Sequence, residues 1–560
     1  MYRLMRSMAI VVVALTGSLA TAARPVADSS LPLTFGAPVW VDKTLAGGEP
    51  FVIQSTKYGT LLYSSHEGTT HLDRSGFTGT PSFASFVLNY RNQVNNWTST
   101  DGGKTWQFVS ALGTGINQPG NTGFSDPDLT ADEGGRIYNT GINLANDALF
   151  SSGDGGKTFD RATTECASGD RPWLAGGTAD NVYMSSNLNT AGHAILHSGD
   201  GGSSCDGVPP GGILNGMGAV PADGTLDGVS WTGDGKLYYD HVDGSLVEPT
   251  VFSNKDGSYG LGVDYLPHAQ AAFPADGSKR FTAIDVVPTT TIFAHWPAMA
   301  MDSAENVYLT WDTDPRSATE ANGCSQSATP LANQVMLVVG KHIGPQQWSW
   351  SQPITVASPP THRVLWPWVQ VGSPGNVSVV WYEYDKVVDP DCATDGNVYI
   401  WDAHVLGALT ANPQVQRINA SDRAIHTAGI CQGGTGCVAT GQDRRLGDFL
   451  TNAVDAAGCV MIVSGDTSLP DPVTGLDQPI SHPIFIKQLS GPGLNGGDCA
   501  APSAGSSPQP VSVSGGPASS GAGGTPTTST GLSPWVLLLL LLCPVALALP
   551  LVGRRTARKP

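Results

Sequence analysis

The sequence predicts an all-β protein whose main body is a β-propeller of seven, or alternatively six, four-stranded blades. One observation is a hairpin of two short apolar strands around a Gly or Asn turn, which recurs about every 45 to 80 residues, as in proteins built from blades. A second is the content of 69 Gly and 40 Pro in 560 residues, without a sustained helical period in the body of the chain. A hairpin repeated at this spacing, with variable loops between copies, is typical of a propeller.

Seven copies of the hairpin are present. They pair residues 49–53 with 60–64, 126–132 with 135–138, 171–175 with 181–184, 227–231 with 235–238, 296–302 with 306–311, 366–371 with 376–381, and 448–455 with 458–462. The innermost strand of a blade is buried on both faces, which explains why these strands are almost continuously apolar. If the first copy only completes the last blade, the number of blades is six.

An eight-residue turn follows the hairpin in three copies. It spans residues 99–106 and 152–159, and a partial copy spans 198–205. The pattern is carried by Ser99, Asp101, Gly103 and Trp106, by Ser152, Asp154, Gly156 and Phe159, and by Ser198 and Asp200. The Asp side chain can bind the backbone ahead of it, the glycines accept a positive φ, and the closing aromatic anchors the next strand.

This pattern, Ser-x-Asp-x-Gly-x-Thr-Trp, resembles the Asp-box, or BNR repeat, of sialidases and other β-propellers. The resemblance implies that each box joins the third and fourth strands of a blade, on the outer rim and away from the catalytic face. It also implies six blades, the number in sialidase propellers. The box therefore indicates a fold and says little about chemistry.

For a sialidase, the resemblance further implies three arginines around the substrate carboxylate, an Asp acid or base, and a Tyr nucleophile activated by a Glu. The Arg-Ile-Pro motif of that family is absent, because neither Arg-Ile pair, at 136–137 and 417–418, is followed by Pro. The arginines available for a triad include Arg171, Arg363 and Arg444. Residues 381–385 place a Tyr beside a Glu, although neighbours on a strand point to opposite faces.

Equivalent hairpins would bring the residues just before each inner strand to one opening of the channel. Besides Glu49, the predicted ligand-binding residues there are Asp126, Asp170, Arg171, His295, Trp296, Trp366, Asp443, Arg444 and Asp448. Indole faces and arginines beside carboxylates suit the recognition of a sugar or a peptide. The alternative is that Asp170 with Arg171, and Asp443 with Arg444, pair locally while the tryptophans fill gaps between blades.

No cofactor is predicted, and calcium is the alternative. The loops at 126–128 and 389–391 both read Asp-Pro-Asp and offer paired oxygen ligands. Asp-Pro is common in turns for backbone reasons alone, so the pattern does not require a metal.

Eight of the nine cysteines lie in the propeller region, and no Cys-x-x-Cys occurs, which favours disulfides over a metal site. Proximity in the sequence predicts the pairs Cys166–Cys205, Cys324–Cys392, Cys431–Cys437 and Cys459–Cys499.

The two ends of the chain predict export and anchoring. Residues 1–23 have the charged, apolar and Ala-x-Ala regions of a signal peptide. The propeller ectodomain follows at 24–499, a Pro/Ser/Gly/Thr-rich stalk at 500–533, a transmembrane helix at 534–553 and a basic cytoplasmic tail at 554–560. The sequence thus predicts a single-pass protein of the cell membrane with an extracellular body; a cleaved sorting signal is the alternative, but Leu-Pro-x-Thr-Gly is missing.

Charge narrows the class of partner. Without the six basic residues of the signal and tail, the exported part has 23 basic and 47 acidic residues. Its net negative charge repels nucleic acid and other polyanions. The predicted function is a cell-surface module that binds a glycan or a protein. The alternative is an exo-α-sialidase-type glycoside hydrolase, and a third interpretation is a domain that only spaces or protects the surface.

Overall fold

The computed structural model shows a propeller of seven β-sheets. The structure describes residues 31–66, 94–109, 125–142, 147–166, 169–188, 192–205, 213–215, 220–221, 229–231, 235–253, 259–269, 282–289, 297–313, 334–432, 437, 442–470 and 480–500. The predicted signal peptide, stalk beyond residue 500, transmembrane helix and tail lie outside these ranges. Within them, no helix has both the length and the apolar character that crossing a membrane requires.

Two short strands, β1 (Thr34–Phe35) and β2 (Val39–Trp40), come first and belong to the last blade. Blades 1 to 3 are four-stranded antiparallel sheets in chain order. Blade 1 contains β3 (Gly48–Gln54), β4 (Leu61–His66), β5 (Val94–Ser99) and β6 (Gln107–Val109); blade 2 contains β7 (Ser125–Ala131), β8 (Ile137–Ile142), β9 (Asp147–Ser152) and β10 (Arg161–Cys166); blade 3 contains β11 (Asp170–Gly176), β12 (Val182–Leu188), β13 (Gly192–Ser198) and β14 (Ile213–Asn215).

Blades 4 to 7 carry additional short strands. Blade 4 contains β15 (Val220–Pro221), β16 (Val229–Trp231), β17 (Tyr238–Tyr239), β18 (Leu246–Ser253), β19 (Tyr259–Leu266) and β20 (Thr282–Thr289), and blade 5 contains β21 (Ala298–Met301), β22 (Val307–Asp312), β23 (Val335–Gly344), β24 (Gln347–Trp350) and β25 (Ile354–Ala357). Blade 6 contains β26 (Val364–Val371), β27 (Asn376–Tyr384), β28 (Asn397–Leu406), β29 (Gln414–Asn419) and β30 (His426–Thr427). Blade 7 contains β31 (Thr451–Val454), β32 (Val460–Asp466), β33 (His482–Pro492) and β34 (Asp498–Ala500). A short 3-10 helix, Pro390–Cys392, lies between β27 and β28.

The prediction of seven blades is confirmed, and the alternative of six is wrong. The first hairpin forms a blade of its own, and β3 packs against β31 and β32 of blade 7, which closes the ring. Blade 7 is completed instead by β1 and β2, which pair with the edge of β33. The two ends of the propeller are therefore joined within one sheet.

Blade 4 departs from the predicted hairpin pattern. The segments at 227–231 and 235–238 do not pair with each other; β16 and β17 each pair with β18 and form one interrupted inner strand. Gly235 lies at the interruption, where an added Cβ would lie 2.3 Å from Pro249 and 2.7 Å from the carbonyl oxygen of Pro297. The Gly-x-Leu-Tyr pattern at 235–238 resembles the second strand of other copies, which explains the error.

The three Asp-box turns form as the motif predicts, between the third and fourth strands of blades 1, 2 and 3. In each turn the Ser hydroxyl lies 2.8–3.0 Å from the Asp carboxylate and accepts a bond from the second Gly N–H, while the Asp accepts two backbone bonds ahead of it. Each turn packs on the preceding blade: Gly103 on Phe485, Gly156 on Leu62 and Gly202 on Tyr138. The Asp-box turns therefore pack between neighbouring blades, at the end of the propeller opposite to the one where the inner strands begin.

Three of the four predicted disulfides are confirmed: Cys166–Cys205, Cys431–Cys437 and Cys459–Cys499. Cys324 of the fourth pair lies outside the described residues. Cys205 takes the place of the closing aromatic in the third Asp-box and joins blade 3 to the last strand of blade 2. A covalent link thus replaces the apolar anchor that Trp106 and Phe159 provide in the other two boxes.

A buried polar network connects blades 6 and 7. Asp402 is fully buried and accepts a hydrogen bond of 2.5 Å from Ser378 Oγ, which in turn accepts one of 2.8 Å from Asn452 of blade 7. Burial raises the pKa of Asp402 to about 8, and burial lowers the pKa of the nearby His404 to about 4. Both side chains are therefore neutral inside the fold at neutral pH.

The Asp402→Asn variant is expected to gain stability over the wild type as the pH rises from about 4 to about 8. The buried Asp402 holds its proton across this range while the unfolded chain releases it, so wild-type stability is lost as the pH rises through it. The difference grows by at most about 1.4 kcal/mol per pH unit. Urea unfolding at pH 4.5 and 8.5 measures it, with Asp422→Asn at an exposed site as the matched control. A stability difference between variant and wild type that is the same at pH 4.5 and pH 8.5 contradicts a neutral Asp402 in the folded protein.

Candidate functional site

Four inner strands share an unusual backbone conformation where they begin. A non-glycine residue followed by Pro has a positive φ in each: Glu49 (50°), Asp126 (49°), Arg171 (56°) and Trp366 (54°). Each lies in a β-bulge at which the register with the second strand shifts. Left-handed conformations of such residues cost about 1–3 kcal/mol and concentrate at functional sites. We refer to this end of the propeller as the mouth.

The residues that follow each Pro turn into the channel. Phe51, Trp173 and Trp368, together with Phe449 of the seventh repeat, are buried and contact one another with ring centroids 5.4–6.1 Å apart. We call these four rings the aromatic plug. Their edge-to-face and tilted arrangements are those that aromatic rings prefer. The plug gives the mouth an apolar floor.

Blade 2 contributes a carboxylate to the plug instead of a ring. Asp128 is fully buried, and both of its oxygens lie 2.5–2.6 Å from Lys236 Nζ, which also lies 5.2 Å from the centre of the Phe51 ring. Lys236 reaches the axis because it lies in the interruption of the inner strand of blade 4. Burial raises the pKa of Asp128 and lowers that of Lys236, and the ion pair opposes both shifts.

Above the floor, blades 1 and 7 form a charged cluster. Glu49 is fully buried, with Oε2 3.0 Å from His66 Nε2 and Oε1 3.7 Å from Arg444, and it accepts a bond of 3.0 Å from the N–H of Asp448. Arg444 also donates two hydrogen bonds to the Asp448 carboxylate. Burial opposes the charge of Glu49, but His66 and Arg444 outweigh it and hold the pKa of Glu49 below its usual range. Glu49 is therefore ionised.

Asp126 has the opposite protonation state. Its side chain is almost fully buried and accepts a hydrogen bond from Ser125 Oγ. Its backbone N–H donates a hydrogen bond of 3.2 Å to Glu49 Oε2. Burial, with the charges of Glu49 and Asp170, raises the pKa of Asp126 well above its usual range. The mouth thus holds a neutral carboxylic acid beside an ionised carboxylate, and the acid can donate a hydrogen bond where a carboxylate cannot.

The structure gives the predicted site residues different partners. Arg171 lies 4.0 Å from Asp170, and both side chains are partly exposed, 26% and 58%. Asp443 bonds Arg445, not Arg444 as the local-pairing alternative proposed, and Trp366 is buried beside Tyr382. The predicted His295 and Trp296 lie outside the described residues.

Sequence reasoning missed His66, Ser125 and Lys236. His66 is the last residue of β4, and its contact with Glu49 depends on the bulge at the start of β3. Ser125 directly precedes the predicted site residue Asp126, and this position in the sequence could have indicated that Ser125 belongs to the site. Lys236 was assigned to a regular strand, in which its side chain could not have reached the axis.

The arrangement that the sialidase resemblance implies is not formed by the residues named for it. Tyr382 Oη lies 2.8 Å from Ser464 Oγ, whereas Glu383 bonds Arg417, His362 and Trp381. Tyr382 and Glu383 therefore do not form a Tyr–Glu pair. Of the three arginines, Arg444 is engaged by carboxylates, Arg171 lies beside Asp170 and Arg363 is fully buried.

Within the described residues, the carboxylates of the two Asp-Pro-Asp loops are occupied by hydrogen bonds and an ion pair. Asp126 and Asp128 have different partners, and Asp391 accepts a bond of 2.7 Å from the N–H of Gln432. Three other carboxylates do lie within 4.8 Å of one another, those of Asp240, Asp243 and Glu305 in blades 4 and 5. Burial, and the mutual repulsion of the cluster, raise the pKa of Asp240 and Glu305.

Comparisons with known proteins were made at the level of families, sequences and folds. No family model and no curated protein match the chain. Solved structures with a similar arrangement include a protein of unknown function from Dyadobacter fermentans (11% identity, 82% of this chain and 99% of that one, TM-score 0.38), an α-L-arabinofuranosidase of Fusarium graminearum bound to arabinobiose (12%, 81% and 97%, 0.35) and a Trypanosoma rangeli sialidase (9%, 83% and 60%, 0.33).

The sheets and turns of the chain itself decide its class. It is a seven-bladed Asp-box β-propeller. At TM-scores below 0.5, the similarities add nothing to this about ligand or activity.

Proposed function

We propose that this propeller is a binding module that takes a neutral glycan at the mouth. The observation that carries the proposal is the left-handed backbone at the same bulge in four blades. A strained conformation repeated around one opening, at residues other than Gly, favours a role of these positions in binding. The charged side chains among them occupy the part of the mouth shared by blades 1, 2 and 3.

Charge decides the class of glycan. The mouth holds Glu49, Asp170 and Asp448 as acidic groups and Asp126 as a neutral acid, against Arg171, Arg444 and the imidazole of His66. Each of these basic groups already has a carboxylate partner, so a substrate carboxylate would meet like charges at a cost. Hydroxyl groups of a neutral sugar can both accept from Arg171 and donate to Asp170. An apolar floor below such polar groups is the usual composition of a ligand site.

Arrays of neutral and acidic glycans, probed with the purified full chain, test this function. Neutral glycans are expected to bind, and Arg171→Ala is expected to weaken binding about 10- to 100-fold, the worth of a hydrogen bond to a charged group. Arg161→Ala is the matched control, since Arg161 is also paired with an Asp and 32% exposed but lies on the outer strand of blade 2. Equal loss in both variants, or binding of sialylated glycans only, contradicts the proposal.

The alternative is an exo-α-sialidase. A fluorogenic sialoside incubated with the same protein distinguishes the two, because the binding module releases no fluorophore. Turnover that Arg171→Ala and Arg444→Ala both abolish would replace the proposed function by the hydrolase.

We also propose that the chain is anchored by its apolar segment at 534–553 with the propeller outside the cell. The support is the uncharged run followed by the basic residues at 554–560. The full chain is expected to resist extraction from membranes by alkaline carbonate, and a chain ending at residue 533 is expected to be released. Release of both, or retention of both, contradicts the anchor.

A further inference from the structure

A second cluster of polar and aromatic side chains lies in blade 6, on the face opposite to the one that packs on blade 7. Its centre is Glu383, which is 1% exposed. Its carboxylate lies 2.7 Å from His362 Nδ1 and accepts bonds of 2.8 and 3.1 Å from Arg417 and 2.8 Å from Trp381 Nε1. We call His362, Trp381, Glu383, Trp401 and Arg417 the blade 6 cluster.

The buried carboxylate sets the chemistry of His362. A carboxylate can only accept, so the neutral imidazole carries its proton on Nδ1 and keeps a lone pair on Nε2. The His362 side chain is 35% exposed, and among the described residues Nε2 has no partner. In its neutral form, the imidazole therefore presents an oriented hydrogen-bond acceptor at the surface.

Arg417 is held beside it in a single orientation. Its guanidinium carbon lies 4.5 Å from the centre of the Trp401 ring and 5.4 Å from that of Trp381, and one terminal nitrogen is bound by Glu383. The side chain is 29% exposed, and within the described parts of the chain its remaining N–H groups bond no other residue. His362 Nδ1 and one terminal nitrogen of Arg417 bind the same oxygen of Glu383, at 2.7 and 3.1 Å, so the imidazole and the guanidinium are neighbours.

The charge balance selects the ligand. While His362 is neutral, the carboxylate of Glu383 balances the charge of the guanidinium, so the cluster has little attraction for an anion. A fixed acceptor beside fixed donors, with an indole at the edge, matches two adjacent hydroxyl groups on a sugar ring, one donating and one accepting.

We propose that His362 and Arg417 form a second saccharide site, which takes a pair of adjacent hydroxyl groups of a neutral sugar. The site lies at the same end of the propeller as the mouth, since Glu383 pairs with Val364 at the start of β26, but none of its residues carries the function proposed above. Glu383 acts as a positioning residue, because it orients both contact groups from a buried place.

NMR of the His Cε1–H groups of the full chain tests the proposal. Titration with neutral methyl glycosides (gluco, galacto, manno and arabino) is expected to shift the His362 signal saturably at millimolar concentration, the signal being assigned by its loss in His362→Gln. Arg417→Lys keeps the charge but removes the planar fork of donors, and is expected to weaken this binding about tenfold. His241 is an internal control, because it also lies 3.0 Å from a Glu and is exposed, while none of the described arginines contacts it.

Arg171→Ala, in blade 3, distinguishes this site from the one proposed among blades 1, 2 and 3 and is expected to leave the His362 shift unchanged. The proposal is overturned if no methyl glycoside moves the His362 signal, if His241 responds to the same extent, or if Arg417→Lys binds like the wild type. If no neutral glycan binds at the mouth on the array while the His362 signal still shifts, the function proposed for the mouth is refuted and the saccharide site of blade 6 is supported.

Discussion

Replacing Lys236 by Met is expected to lower the free energy of unfolding by about 3–5 kcal/mol, the cost of leaving one partner of a buried ion pair alone. Asp128 is fully buried, and Lys236 is its cation. Met approximates the length of the side chain and removes its charge, so the loss reports the ion pair together with the contact of Nζ with the Phe51 ring. Urea unfolding followed by tryptophan fluorescence measures it, since two of the four plug rings are indoles.

Two companion measurements separate the ion pair from loss of packing. The double variant Lys236→Met/Asp128→Asn is expected to recover part of the loss, because it leaves no unpaired charge, while the one amide oxygen keeps only one of the two bonds that the carboxylate accepts from the N–H groups of Leu129 and Leu174. Lys236→Met alone is expected to regain stability as the pH falls, because its uncompensated Asp128 then takes up a proton in the folded state. A single variant as stable as the wild type, or no recovery in the double variant, contradicts an essential ion pair at the axis.

A chain that begins at Asp42 is expected to lose on the order of 5 kcal/mol or more, a large part of the 5–15 kcal/mol that stabilises a typical domain. This truncation removes β1 and β2, the strands that complete blade 7 by pairing with β33. It also removes Trp40, whose ring lies 5.1 Å from the guanidinium of Arg423, the partner of the buried Asp466. Without them, blade 7 exposes the edge of its longest strand, and such edges promote aggregation.

A chain beginning at Leu31 is the matched control, because it keeps both closing strands. Thermal unfolding and size-exclusion chromatography compare the two. The shorter chain is expected to unfold at a much lower temperature and to aggregate, while the control stays monodisperse. Equal melting temperatures would mean that blade 7 is complete without its N-terminal strands.

The prediction from sequence succeeded where the signal is local. The Asp-box places its hydrogen bonds within eight residues, so Ser99 to Trp106 already contains the partners of its own turn. Six of the seven hairpins formed because a turn and its two flanking strands are also close in sequence. Three disulfides followed from proximity for the same reason.

The same reasoning failed where contacts join distant parts of the chain. Glu49 binds Asp448, and Asp128 binds Lys236 across the axis, yet no spacing in the sequence relates these residues. The interrupted strand of blade 4 was missed because its pattern is that of a regular hairpin, while the pairing partner, β18, follows later.

The sequence by itself determined the all-β repeat, the positions of the Asp-box turns and the acidic character of the body. These properties depend on turn chemistry, strand patterns and composition, which neighbouring residues carry. Only the tertiary structure decided the number of blades, the plug at the axis, the protonation states of Glu49 and Asp126 and the cluster around Glu383. Each of these depends on which blades meet, because burial and neighbouring charges set the state of a side chain and both come from residues far away in the chain.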